Sequence, residues 1–396
     1  MLNVDNFEET KETKSLMLKG ESKLLKVYRI PLSVLKYNPQ NGRIATWISE
    51  YEENGKSLPS DEEQYNNVIE KFIVQANEDA LKKTQKNIHR FGQMEAAVVL
   101  NNGVLVDGNR RFTALRRLSR DGMGQKFNYI KAVVLSEDSY SVKEVKTLEL
   151  NLQHAKEERV DYNPIDYLVD VYRDLIADNH DFEPNEYARE VDKKESEVRK
   201  DMEVAQLMIE YLDFIHQPNA FSIARKQNIN GPLREIPRIL QSKHLAMEDV
   251  YDAKSLMFGV MASYNGDTSR FVRKMREIVE NPKALHSVIE NLAETIDDMQ
   301  SSFADEEQQT SVKETQTVSL PKSITDNVIT TVQDQVDHLM IKKARNQPLL
   351  SLKRAYQFVG EVDLDAVKRM DEDDKSKMIV VLEQINTQLT KIKGTI

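Results

Sequence analysis

The amino-acid sequence predicts an α+β N-terminal domain, then a mainly α-helical region, then a C-terminal helical unit. Short apolar runs with period-two alternation and a hairpin turn are confined to roughly the first 135 residues. From Val142 onward apolar residues recur at helical spacing. The 396 residues suffice for two or three domains at about 100–200 residues each.

Residues 1–22 are polar, charged and without period, which predicts a disordered arm. Leu24-Leu25-Lys26-Val27-Tyr28-Arg29-Ile30 alternates and is β-branched enough for a strand, closed by Pro31. Residues 41–76, with Asn54-Gly55-Lys56 and Pro59-Ser60-Asp61, read as an irregular or partly helical insertion. Asn77-Glu78-Asp79-Ala80 starts a helix with acids in its first turn, and Gly92 stops it. Ala96–Leu100, Asn101-Asn102-Gly103 and Val104–Val106 form strand, turn and strand, with Asn-Gly supplying positive φ angles. Asp107-Gly108-Asn109 breaks the second strand. Arg110 to Arg120 is a helix with Phe112, Leu115 and Leu118 on one face, and Tyr129 to Leu135 is a further strand. The expected α+β domain is therefore 23–140 and the helical region 141–299. Residues 300–325, rich in Gln, Ser, Thr and Glu, are expected as a linker before a C-terminal helical unit at 326–396.

The chain has no cysteine, which excludes disulfides, thiolate metal sites and cysteine nucleophiles. Its seven histidines show no ligand spacing, and no Gly-x-x-x-x-Gly-Lys-Ser/Thr loop is present. The opening residues lack a basic and an apolar stretch, and no run of about 18 apolar residues occurs, so a cytoplasmic, membrane-free protein is expected. A net charge of -10 argues against indiscriminate coating of nucleic acid.

The segment richest in chemistry is Val104 to Leu118. A strand runs into a tight glycine turn, and the turn opens a helix whose free N–H groups and positive dipole end suit an anion. Arg110 and Arg111 sit at that point, and guanidinium forks match phosphate oxygens bidentately. Between residues 100 and 135 seven basic residues face only Asp107 and Asp121, a positive island on an acidic chain. The blander reading is a basic surface helix with a capped start, in which Arg116, Arg117 and Arg120 are a solvated face. Asp107 caps the helix or pairs with an arginine, or else it holds Mg²⁺ or acts as a base beside a bound phosphate.

The order Asn38-Pro39-Gln40-Asn41-Gly42-Arg43, then Gly92-Gln93-Met94-Glu95-Ala96-Ala97-Val98-Val99, then Asp107-Gly108-Asn109-Arg110-Arg111 resembles the N-terminal domain of ParB-type partition proteins, part of the ParB/sulfiredoxin superfamily. Leu150-Asn151-Leu152-Gln153-His154, Asn163-Pro164-Ile165-Asp166 and a helix–turn–helix at about 182–209 follow in the family's order, so the resemblance spans roughly residues 24–209. It implies a site in which Gly108, Asn109, Arg110 and Arg111 cradle a triphosphate. The loop Gly92–Glu95 would lie by the base, and Asn151 would contact phosphates. The family binds CTP with Mg²⁺ and closes on DNA as a dimer, and it serves plasmids, phages and other mobile elements. Asp107 would be the catalytic residue of a member that hydrolyses CTP or ATP, and other superfamily members are nucleases or kinases. Four positions depart from the family: Asn109 stands where it has Glu, Glu95 where it has Gln, Leu150 where it has the acidic metal contact, and His154 where it has Arg. An alternative register brings Glu149 to that metal position. The alternatives to a DNA-binding partition protein are a diverged enzyme of the same fold or a non-enzymatic interaction protein.

In the helix–turn–helix, Ala188, Val191 and Val198 have the spacing to pack the two helices, and Ser196, Arg199 and Lys200 would face DNA. Electrostatics opposes this. Residues 161–204 hold fourteen acids and six bases, although five of the bases crowd into residues 189–200.

Overall fold

The structure, a computed structural model, describes residues 1–154, 163–309 and 320–396. They fall into two compact units, residues 1–336 and 337–396. The chain is α+β, with a small mixed sheet at the N-terminus followed by helices.

The sheet region comprises β1 (Glu8–Leu18), β2 (Glu21–Pro31), α1 (Ala45–Glu53), α2 (Glu62–Ala76), α3 (Glu78–Phe91), β3 (Ala97–Leu100), β4 (Leu105–Asp107), α4 (Asn109–Arg120) and β5 (Tyr129–Leu135). The strand order is β1-β2-β5-β3-β4, with β3 and β5 parallel and the other neighbours antiparallel. Helices cover both faces, so β3 reads as an unbroken apolar run, Ala97-Val98-Val99-Leu100, buried throughout. Alternation sorts its side chains. Ala97 and Val99 join Leu105, Phe112, Leu115 and Ile130 in one core, while Val98 and Leu100 join Val106, Val133 and Leu148 in the other.

Residues 8–18 belong to the expected disordered arm, yet they form β1. The polar text is explained by cross-strand charge pairs, Lys26 to Glu9 at 2.9 Å and Arg29 to Glu8 at 2.8 Å. Its last residues, Leu16 and Leu18, are buried beside Val27. Lys19 and Gly20 both have positive φ, 55° and 78°, as a two-residue hairpin loop requires. In the 101–103 turn only Gly103 has positive φ, 86°, so Asn102 does not share that role. The Asn102 side chain instead accepts the Val104 N–H at 3.0 Å.

The expected insertion holds two ordered helices. Asp61 caps α2 by accepting the Gln64 N–H at 2.9 Å. Glu70 of α2, buried, accepts from Arg116 at 2.9 Å and pairs with Arg120, so Arg116 belongs to an internal ion pair rather than a solvated face, while Arg120 keeps about half of its side chain exposed. Helix α1 is bonded to the helical region through Arg225, which donates to Thr46 Oγ1 at 2.9 Å and Glu50 at 2.8 Å and lies over the Trp47 ring at 3.5 Å.

The helical region follows as α5 (Val142–His154), α6 (Pro164–Leu175), α7 (Pro184–Glu190), α8 (Glu195–Phe214), α9 (Phe221–Lys226), α10 (Asn230–Leu240), α11 (Val250–Ser263), α12 (Thr268–Lys274), α13 (Arg276–Val279) and α14 (Pro282–Gln309). The expected linker begins inside α14, where Met299 and Phe303 are buried and thus hold helix beyond residue 300. Residues 310–319 of that linker lie outside the described residues. In α15 (Lys322–Gly360) the four-spaced stripe Ile324, Val328, Val332 and Val336 is buried in the first unit, which moves the boundary from 326 to 337. The second unit continues through α16 (Leu364–Arg369) and α17 (Glu372–Lys393), and none of its described side chains is fully buried.

Candidate functional site

The strand β4 ends against the sheet, and Gly108 turns the chain into α4 with φ 106° and ψ 15°. A Cβ there would sit 2.8 Å from the Ala97 Cβ, so close packing and backbone conformation both demand glycine. Gly108 also caps α4 without a side-chain hydrogen bond, so the first N–H groups of the helix keep their capacity for a ligand. On the neighbouring wall, Gly92 stops α3 at φ 78° and ψ -178°, a region that is essentially glycine's own. The loop after it is fixed by Gln93, which is 9% exposed. Its Nε2 donates to the Glu95 carbonyl at 2.9 Å and the Lys131 carbonyl at 2.7 Å, and its Oε1 accepts the Lys131 N–H at 2.7 Å.

These elements enclose a cavity of about 830 Å³, well within the size range of small-molecule sites. Gly92, Glu95, Asp107, Gly108, Asn109, Arg110, Arg111 and Glu149 all line it, although they come from three separate stretches of chain. Asn151 is not among the lining residues; its Nδ2 donates to Glu190 of α7 at 2.9 Å. Asn41, Arg43, Thr84 and Asn87 also line it, and the sequence reading did not single them out for the site. The one signal that reaches them is position: Asn41 and Arg43 lie in the 38–43 segment quoted for the resemblance, and Thr84 and Asn87 in the helix that Gly92 stops.

Charge inside the cavity is organised around Arg111. Its Nη1 donates to Glu95 Oε2 at 2.6 Å and its Nη2 to Asp107 Oδ2 at 2.7 Å. Asp107 therefore pairs with an arginine, one of the two structural roles open to it from sequence. Glu95 is held from its other side by Lys14 of β1, whose Nζ lies 3.1 Å from Oε1 and donates to the Ala96 carbonyl at 2.8 Å. Three buried polar atoms along the cavity have no hydrogen-bond partner: Arg43 Nε, Asn109 Oδ1 and Arg111 Nε. Buried donors and acceptors are nearly always satisfied, so these three are open to hydrogen bonds from whatever fills the cavity, water included.

Glu149 of α5 is 3% exposed at the cavity wall. Burial pushes its carboxyl up to about 7, with Asp170, Asp174 and Asp107 adding to the rise and Lys146 opposing it. Burial alone would lower the Lys146 ammonium, but Asp170, Glu149 and Asp174 outweigh it and raise the group. Among the described residues no cluster of three or more His, Asp or Glu side chains is arranged to hold a metal ion. Asp107 and Glu149 could still supply one or two carboxylates to a Mg²⁺ bound chiefly by phosphates.

Helices α7 and α8 occupy the segment where the sequence predicts a helix–turn–helix, and Ala188, Val191 and Val198 are buried there. Ser196, Arg199 and Lys200 are exposed on the first turns of α8. Two of the clustered bases are committed elsewhere. Arg199 donates to Glu195 at 2.6 Å, and Lys193 to Asp201 at 2.8 Å in a network that also joins Tyr167 and Arg234. The His154 side chain lies outside the described residues. Among the described residues no helix is long and apolar enough to cross a membrane. Comparison with protein-family models, with curated proteins and with solved structures finds no match to this chain.

Proposed function

We propose that the chain is a ParB-like, nucleotide-dependent DNA-binding protein whose cavity between α3, α4 and α5 takes the phosphates of a nucleoside triphosphate. One observation carries the reading: an uncapped helix start, two arginines beside it and three unsatisfied buried polar atoms share a single cavity. Gly108, Asn109, Arg110 and Arg111 would hold phosphate oxygens, and Gly92 and Glu95 would bound the remaining part of the ligand. A Mg²⁺ ion would bridge phosphates to Asp107 or Glu149 and neutralise their charge. CTP is the nucleotide that the resemblance implies.

For DNA, Ser196, Arg199 and Lys200 offer an exposed surface at the start of α8, and a homodimer would double it. A second reading, an interaction protein without nucleotide chemistry, is favoured by Arg111 being already neutralised by Glu95 and Asp107.

A thermal-shift panel of CTP, ATP, GTP and UTP, with and without Mg²⁺, separates the two. The proposal expects one nucleotide to raise the melting temperature with the logarithm of its excess over Kd, and the Arg110→Ala, Arg111→Ala double variant to abolish the rise. A folded protein that responds to none of the four would favour the second reading.

A further inference from the structure

A second cavity, of about 650 Å³, lies in the helical region where α8, α11 and α14 meet. Helices α11 and α14 run side by side in the same direction. His286 Nε2 of α14 lies 2.9 Å from Asp249 Oδ1 at the start of α11, and further along both helices a Cβ on Gly259 would meet Ile296 Cδ1 at 3.0 Å. Phe214 of α8 joins them, its ring centroid 5.7 Å from that of Phe258 in α11 and 6.1 Å from that of Phe303 in α14. The wall that α14 contributes is a single stripe at helical spacing, Ile289, Leu292, Ile296 and Gln300. At 1.5 Å per residue it extends for roughly 16 Å, about three helical turns. An elongated apolar groove between two ridges is the shape that takes a further helix.

The rim of this groove is acidic. Each of the three helices places a carboxylate on it: Glu210 and Asp213 from α8, Asp252 from α11 and Asp297 from α14. Among the described residues lining it the one base is Lys254, and Glu210 takes it at 2.6 Å. Tyr251 of α11 stands at the groove 74% exposed, and Met247, one turn before it, is 95% exposed. Among the described residues from Lys143 to Val336 these are the only large apolar side chains left exposed. The rest of the helical region buries such groups, so an open aromatic beside an apolar groove marks a contact surface.

We infer that this groove is a docking site for a basic amphipathic helix of a partner protein. The apolar stripe of that helix enters the floor and packs against Tyr251, and its Lys and Arg side chains meet Asp213, Asp252 and Asp297. Charge fixes the choice of occupant. An acidic helix would bring like charge against the rim, and a neutral apolar segment would leave the rim unused. The groove is separate from the cavity between α3, α4 and α5 and needs no ligand there.

The test is fluorescence anisotropy of the full chain with a labelled peptide of about 15 residues, Leu and Lys at amphipathic helical spacing, beside the same peptide with Glu in place of each Lys. The Lys peptide is expected to bind about ten-fold or more tightly than the Glu peptide, and to weaken as salt rises. Tyr251→Ala should weaken it about ten-fold, and Asp252→Asn with Asp297→Asn should weaken it and flatten the salt dependence. Ala293→Arg, which puts bulk and like charge into the groove, should abolish binding. All four positions are exposed, so the variants should keep the wild-type melting temperature. A Lys peptide that binds these variants as it binds the wild type, or no better than the Glu peptide does, overturns the inference. So does a wild type whose self-association is lost in Ala293→Arg on sedimentation, because the occupant would then be a second copy of the chain.

Discussion

At the scale of single residues, the site depends on positions where one side chain, or none, can be accommodated. Gly108 is the clearest: φ 106° and the 2.8 Å approach to Ala97 leave no room for a Cβ. Gly108→Ala is expected to cost roughly 2–3 kcal/mol, since it adds backbone strain to a packing clash. Chemical denaturation would read this as a lower midpoint at constant slope, and an unshifted midpoint would contradict the packing described for this turn. Gly108, Arg110 and Arg111 were legible because strand, glycine turn and helix follow one another locally. Gln93, Lys14 and Arg43 were not. Each acts on a partner or cavity remote along the chain, such as Lys14 on Glu95, and a polar residue in polar text carries no sign of that.

At the scale of elements, α5 and α6 meet through a buried charged cluster. Lys146 and Glu149 of α5 face Asp170 and Asp174 of α6, and burial lifts both Glu149 and Asp174 to about 7. A carboxyl whose folded value lies above its unfolded one stabilises the fold fully below the unfolded value, and that contribution is lost as pH rises through the folded value. For Glu149 the window runs from its ordinary 4.5 to about 7. Relative to Glu149→Gln, the wild type should therefore lose on the order of 3 kcal/mol of stability across that window and then level off. Unfolding free energies of the two proteins at a series of pH values measure the difference. A difference that stays constant with pH would mean that Glu149 titrates alike in the folded and unfolded chain and that burial does not raise it. The apolar run of β3 and the helical period beyond Val142 made these elements readable, whereas β1 was missed because its polar residues are stabilised by pairs made across the sheet.

At the scale of the whole molecule, the second unit carries more apolar surface than it covers. In α17, Met378, Leu382, Ile385, Leu389 and Ile392 alternate at spacings of four and three, the pattern of a coiled-coil seam. Leu382 is 48% exposed and Leu389 41%, so the seam is unburied within the unit. A second copy of the same helix would cover it, in line with the proposed homodimer. Analytical ultracentrifugation is expected to show a dimer, and Leu382→Glu with Leu389→Glu to shift it to the monomer. A wild type that sediments as a monomer at tens of micromolar would remove α17 as the dimer contact.

The sequence alone settled the order of strands and helices from Asn77 to Leu135, because hydrophobic period, helix caps and glycine turns are local physics. It also settled that Gly108, Arg110 and Arg111 share one turn. Folding was needed to show that Gly92, Glu95 and Glu149 converge on that turn and that Asn151 turns away to Glu190. Folding likewise sorted the positive island into two arginines that line the cavity, Arg110 and Arg111, and two that pair with Glu70, Arg116 and Arg120. The physical reason is the same in each case: charge pairing and desolvation depend on distances between residues far apart in the chain, and no spacing rule encodes them.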